Sequence, residues 1–273
     1  LTEFSSPSLR QIFDRGFDGS RALSIRLEKG APMLNSISVL RGYAIEANDG
    51  PLGTVKDLLF DDRSWKLRWL VVETGCWQTE RKVLLHPSAV MRTDRMLHLL
   101  IMNLTRSQVE KSPGIDWDLP LSQRLEGRLY SYYHLDPTWG GRSYFDRQAN
   151  PPPMILPRDL PTGDGHLRST LAITGYGVQA KDGDIGHVEN FLFDDIDWSL
   201  RYLVIDTRTW WHGKRVLLSP YAITDIDWFA NRITVNVTRS TIRNGPDWLP
   251  NAFTDRSFET RLHHHYGWRG YGW

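Results

Sequence analysis

Phe60-Asp61-Asp62-Arg63-Ser64-Trp65-Lys66-Leu67-Arg68 returns 133 residues later as Phe193-Asp194-Asp195-Ile196-Asp197-Trp198-Ser199-Leu200-Arg201. The match extends outward in both directions without a gap, from Leu40–Pro113 onto Ile173–Pro246. About 29 of about 74 aligned positions are identical, a self-similarity that marks a duplicated structural unit. Upstream, Asp49-Gly50-x-x-Gly53 meets Asp182-Gly183-x-x-Gly186, and Gly42-Tyr43 meets Gly175-Tyr176. Downstream, Val83-Leu84-Leu85-x-Pro87 meets Val216-Leu217-Leu218-x-Pro220, and Thr105-Arg106-Ser107 meets Thr238-Arg239-Ser240.

Each copy reads as a meander of short strands. Asp-Gly at 49–50 and 182–183 supplies hairpin turns, because glycine tolerates the positive φ they need. Strands are predicted at 53–60, 67–72, 82–85 and 97–103, and at 186–193, 200–205, 215–218 and 232–237. The returning strand is β-branched and aromatic in both copies. Five or six short strands at this spacing predict a small closed or half-closed barrel. Thr105-Arg106-Ser107-Gln108 fits a helix capping box, which is incomplete in the second copy because Thr241 replaces the glutamine. Leu121, Leu125, Leu129 and Tyr133, and then Phe258, Leu262 and Tyr266, recur every four residues and predict short amphipathic helices docked on the barrels.

The organisation expected is a leader over 1–32, a first repeat with a helical tail over 33–139, a proline-rich linker over 140–168, and a second repeat with an aromatic tail over 169–273. The leader lacks periodicity, and Glu28-Lys29-Gly30-Ala31-Pro32-Met33 reads as a translated ribosome-binding site before a start codon. Residues 1–32 are therefore expected to be disordered or non-native. Pro151-Pro152-Pro153, Pro157 and Pro161 make the linker a semi-rigid spacer.

The pattern Asp-Gly-x-x-Gly-x-Val, Leu59-Phe60-Asp61-Asp62-x-x-Trp65-x-Leu67-Arg68-Trp69-Leu70-Val71-Val72, then Val83-Leu84-Leu85-x-Pro87, resembles the PRC-barrel family. That family includes the cytoplasmic domain of the photosynthetic reaction-centre H subunit and the C-terminal domain of the ribosome maturation factor RimM. The tails around Tyr130–Tyr133 and Tyr266–Trp268 resemble extensions of bacterial proteins with two such barrels. The resemblance covers both repeats and implies mainly β architecture, two tandem small barrels, and association with other proteins in place of catalysis. It carries two further functional expectations: a ribosome- or RNA-associated factor, and an H-subunit-like assembly or electron-transfer accessory protein. A small-ligand site or active site between the barrels is a third.

Composition narrows the partners. The chain carries 33 basic and 32 acidic side chains, a formal net charge of +1, which argues against nucleic acid or an anionic membrane as the main partner. No run of about 18 apolar residues exists to span a bilayer. Cys76 is the lone cysteine, so no disulfide can close within the chain and a cytoplasmic location is expected. A protein partner or self-association remains, with no cofactor.

Candidate sites are few. Asp61, Asp62, Asp194 and Asp195 read as turn-stabilising carboxylates, with Arg68 and Arg201 on the return strand as ion-pair partners. His263-His264-His265 is the one histidine cluster, but neighbours on a helix point apart, so no specific metal site is expected. No catalytic residue is assigned. Among the 12 tryptophans, Trp65, Trp69 and Trp198 fall in the strand pattern with Tyr202 and are expected in the core. Trp77, Trp210, Trp211, Trp268 and Trp273 lie in loops or the tail and are the candidate partner-binding residues. The copies diverge most at 76–80 and 209–213, where a division of labour is expected.

Overall fold

The computed structural model describes residues 34–75, 81–114, 123–135, 166–208, 214–248 and 256–271. The leader, most of the linker, Cys76, Trp77, Trp210, Trp211 and Trp273 lie outside the described residues. The first copy runs β1 (Leu34–Ser36), α1 (Ile37–Leu40), β2 (Ala44–Ala47), β3 (Gly50–Asp61), β4 (Lys66–Thr74) and β5 (Lys82–Leu85). It continues through β6 (Val90–Asp94), β7 (Leu99–Met102), α2 (Arg106–Glu110) and α3 (Gln123–Tyr132). The second copy runs β8 (Leu167–Ser169), α4 (Thr170–Ile173), β9 (Gly177–Ala180), β10 (Gly183–Asp194), β11 (Leu200–Asp206) and β12 (Arg215–Leu218). It ends with β13 (Ile223–Asp227), β14 (Arg232–Val235), α5 (Arg239–Arg243) and α6 (Arg256–Tyr266). Leu167 and Arg168, placed in the linker by sequence, thus belong to a strand.

The protein is mainly β, with two similar mixed sheets in tandem. Their ladders run β5-β4-β3-β2-β7-β6 and β12-β11-β10-β9-β14-β13, with β2–β7 and β9–β14 parallel and the remaining neighbours antiparallel. Of the closed or half-closed barrel expected, closure is corrected here: among the described residues, neither β5 and β6 nor β12 and β13 pair. A 3-10 turn starting at Pro87 or Pro220 separates them, and proline has no N–H to give a ladder.

The leading strands cross over. β1 pairs with β10 of the second copy, and β8 pairs with β3 of the first. Each exchanged segment is fastened by the residue at one equivalent position. Asp57 accepts from Thr170 Oγ1 at 2.9 Å, Leu171 N at 3.1 Å and Ser169 Oγ. Asn190 accepts from Ser38 N at 3.1 Å and donates to Ser36 Oγ at 2.6 Å.

The repeated Asp-Asp-x-x-Trp turns also meet. Leu67 N donates to Trp198 O at 2.8 Å, and Leu200 N donates to Trp65 O at 2.7 Å. Trp65 and Trp198 adopt φ of 55° and 59°, which for a bulky residue is a strained backbone. Their buried rings, stacked on Phe60 and Phe193 at 5.1 and 5.3 Å, offset that strain. Phe60 and Phe191 approach to 6.1 Å, and the inner faces of both sheets share one apolar core.

The tail helices cover the outer faces. Leu129 and Tyr130 of α3 pack on Trp69, Val71 and Leu84. Leu262 of α6 packs on Tyr202, Val204 and Leu217. Covered on both sides, β11 is buried at every residue, so Tyr202-Leu203-Val204-Ile205 runs without polar alternation, flanked by the buried charges Arg201 and Asp206.

Candidate binding groove on the second copy

The second tail is built around a buried polar cluster. The Tyr202 hydroxyl lies 2.9 Å from Glu259 Oε1 and 2.7 Å from His263 Nε2. His263 Nδ1 is 2.6 Å from the Arg269 carbonyl, which can only accept, so Nδ1 carries a proton. The Tyr271 hydroxyl donates to Arg201 O at 2.6 Å and lies 2.6 Å from Ser219 Oγ, while the Arg201 guanidinium sits 4.3 Å over its ring. Between these anchors α6 ends at Gly267, whose φ of 69° reverses the chain, and Trp268 N donates back to His263 O at 2.9 Å. Trp268 is thereby laid flat on Tyr266, with centroids 4.3 Å apart and planes 12° from parallel.

Trp268 and Tyr266 form one wall of a groove of about 500 Å³, with Tyr221, Asn236 and Thr238 around it. Lys181 and Arg269 are exposed at its edge, and among the described residues no acidic side chain lines it. A second open groove, of about 600 Å³, lies on the first copy between α3 and the Lys111–Pro113 turn. The junction between copies holds a pocket of about 20 Å³ beside Arg95 and Asp195, room for about one water molecule. A ligand site between the modules has little space there.

The Glu259–Tyr202–His263 arrangement has the residue types of acid–base chemistry, but these side chains are buried and none lines the groove. Burial, with Arg201 adding to it, holds the His263 imidazole down to about 4 from an ordinary value of 6.5; its bond to Arg269 opposes the shift. His86, in the corresponding region of the first copy, is held down to about 3 by burial and by Arg68. The unfolded chain therefore takes up protons below pH 6.5 that the folded chain refuses. Stability is full above pH 6.5 and falls toward pH 4, by at most about 3 kcal/mol through His263. Thermal melts from pH 7 to 4.5 are expected to show this decline. His263→Gln is expected to melt lower at pH 7 yet decline less steeply; an unchanged slope would remove His263 as a cause.

The carboxylates of the two turns are used differently. Asp61 Oδ1 accepts from Arg63 N at 3.1 Å and Ser64 N at 2.7 Å, and Asp194 Oδ1 accepts from Ile196 N at 2.8 Å. Arg201 pairs with Asp194 at 2.5 Å and reaches Asp197 at 3.6 Å. Arg68 instead turns to α3, donating from Nε to the Tyr130 hydroxyl at 2.8 Å and lying 3.5 Å from Glu126. Asp62 and Asp195 face the opposite copy: Asp62 meets His166 and Arg168, both at 2.9 Å, and Asp195 meets Arg95 at 2.8 Å. The three successive histidines diverge, with His263 turned inward, His264 exposed, and His265 Nε2 2.8 Å from Thr241 O. Among the described residues, no three metal-ligating side chains converge.

Of the five tryptophans singled out, Trp268 is the described one, and it lies in the groove. Lys181, Tyr221 and Arg269 were not singled out. The repeat carried a signal for them: the 133-residue shift places Asn48, Ser88, Leu135 and Asp136 opposite Lys181, Tyr221, Trp268 and Arg269. Met96 and Phe229, equivalent hairpin-tip residues, are also strongly exposed, but a lone exposed side chain makes a weaker site than a lined groove. No family model matches the sequence, and no curated protein is similar to it.

Proposed function

We propose that this chain is a non-enzymatic binding protein, an adaptor made of two PRC-barrel-like modules fused into one unit, and that it recognises its protein partner through the groove of the second copy. One observation carries this reading. The shared framework is retained in both copies, whereas four positions at one groove change together to aromatic and cationic residues. Tryptophan, tyrosine and arginine are the residue types that dominate binding energy at protein interfaces. The buried cluster beneath holds Trp268 in place and so limits the entropy lost on association.

The test is affinity purification from native cells with the full chain and with Trp268→Ala. A protein partner recovered by the parent and depleted about tenfold by the variant is expected. Stoichiometric recovery of a small molecule with no protein would overturn the adaptor reading. Recovery of ribosomal particles would instead favour the ribosome-associated alternative, for which the near-neutral charge offers little support.

A further inference from the structure

The groove also has a sign. Building on the binding role proposed above, we infer that its partner presents an acidic peptide segment, with carboxylates on Lys181 and Arg269 and a planar or apolar side chain on Trp268. Both cations are exposed at the groove and, among the described residues, neither side chain has an ion-pair partner. The neighbouring acid, Asp182, is committed elsewhere: its Oδ1 accepts from Arg239 N at 2.8 Å. In the first copy the same two positions are Asn48 and Asp136. The second copy therefore differs from the first by two positive charges and the loss of one negative charge at a single place.

That difference is local, because the whole chain is within one charge of neutrality. A compact pair of cations on a neutral protein suits a short acidic stretch, whereas a nucleic-acid backbone needs a longer basic track. The Tyr266–Trp268 stack leaves a broad apolar surface beside the cations, and Asn236 and Thr238 add hydrogen-bonding groups for a peptide backbone. An acidic segment with an interspersed aromatic residue meets all three features.

Isothermal titration of the full chain with an end-capped peptide of four glutamates around one tyrosine tests this directly. Its glutamine counterpart is the control. The acidic peptide is expected to bind at least about tenfold more tightly and to weaken as salt rises. Lys181→Glu and Arg269→Glu should each weaken it about tenfold, Lys181→Arg should retain it, and Asn48→Glu on the first copy should leave it unchanged. Unchanged melting temperatures establish that these surface variants fold. Equal affinity for the acidic and glutamine peptides, indifference to both charge reversals, or tighter binding of a single-stranded RNA oligonucleotide would overturn the inference. Capture of a native partner that requires Trp268 but tolerates both reversals would sink the acidic-segment inference and leave the adaptor reading standing. Binding of the acidic peptide with no protein partner in the purification would do the reverse.

Discussion

A protein comprising the first copy alone, residues 33–139, is expected to be a dimer at micromolar concentration and not a folded monomer. The reason is the reciprocal exchange. In the full chain β1 completes the second sheet, and β8 completes the first. An isolated first copy therefore has a leading strand with no sheet to join and a β3 edge with no strand on it. It also exposes Phe60 and Trp65 where the second copy covers them, and it leaves the Leu67 N–H without the Trp198 carbonyl. Each large side chain returned to water costs roughly 1.5–3 kcal/mol, so a few of them equal the stability of a small domain. Two such copies can repair the loss. β1 of each would lie on β3 of the other, and Asp57 would meet Ser36 and Ser38 as it meets Ser169 and Leu171 in the full chain. The backbone contacts between the turns already have the isologous form of a twofold dimer, since the bond from Leu67 N to Trp198 O is returned by the one from Leu200 N to Trp65 O. Light scattering after size-exclusion chromatography distinguishes the outcomes, and a stable folded monomer would refute the argument. In the intact chain the same interdependence predicts one unfolding transition, with tryptophan fluorescence and far-ultraviolet circular dichroism coinciding in a denaturant titration.

How far the sequence foretold this depends on the range of the interaction concerned. The meander, the capping box at Thr105–Gln108 and the tail helices were legible because each rests on neighbours within a turn or a strand. The two sheets and their duplication were legible from the 133-residue shift. The exchange was not. Leu34-Asn35-Ser36 and Leu167-Arg168-Ser169 are three-residue strands, too short to show a period, and nothing local says which sheet they join. Arg68 and Arg201 teach the same lesson. They share the Phe-Asp-Asp-x-x-Trp-x-Leu-Arg frame, yet Arg201 pairs with its own turn and Arg68 with a tail helix. At the groove, Trp268 was visible as a tail aromatic. Lys181 and Arg269 lie 88 residues apart and came together only through the docking of α6.

The repeated Asp-Gly-x-x-Gly motif leads to the second large expectation: Gly186→Ala should abolish stable folding, whereas Gly175→Ala should not. Both glycines have positive φ, 128° and 94°, so both variants carry left-handed backbone strain of about 1–3 kcal/mol. Their surroundings separate them. A Cβ at 186 would stand 1.9 Å from Asp206 O and 2.9 Å from its carbonyl carbon, but a Cβ at 175 meets nothing within 4 Å. The obstructing atoms are backbone of β11, a strand buried at every residue, so they cannot move aside without disturbing the core. The cost at 186 should therefore exceed about 4 kcal/mol, the range reserved for severe steric and core defects. Gly53 sits in the same trap, with Glu73 O 2.0 Å from its imagined Cβ, so Gly53→Ala should fail alike. Gly50 and Gly183 serve a different purpose, since the guanidinium groups of Arg106 and Arg239 lie where a side chain would go. Those arginines donate from Nε to Pro51 O at 3.1 Å and Asp184 O at 3.0 Å, and from their backbone N–H to Asp49 and Asp182, both at 2.8 Å. Two repeated motifs well separated along each copy, Asp-Gly-x-x-Gly and Thr-Arg-Ser, are thus one clamp that closes the hairpin on the helix. Urea melts of Gly175→Ala, Gly186→Ala and Gly53→Ala measure the difference. Comparable stability at 175 and 186 would show that β11 yields and that the second glycine is not held by close backbone approach.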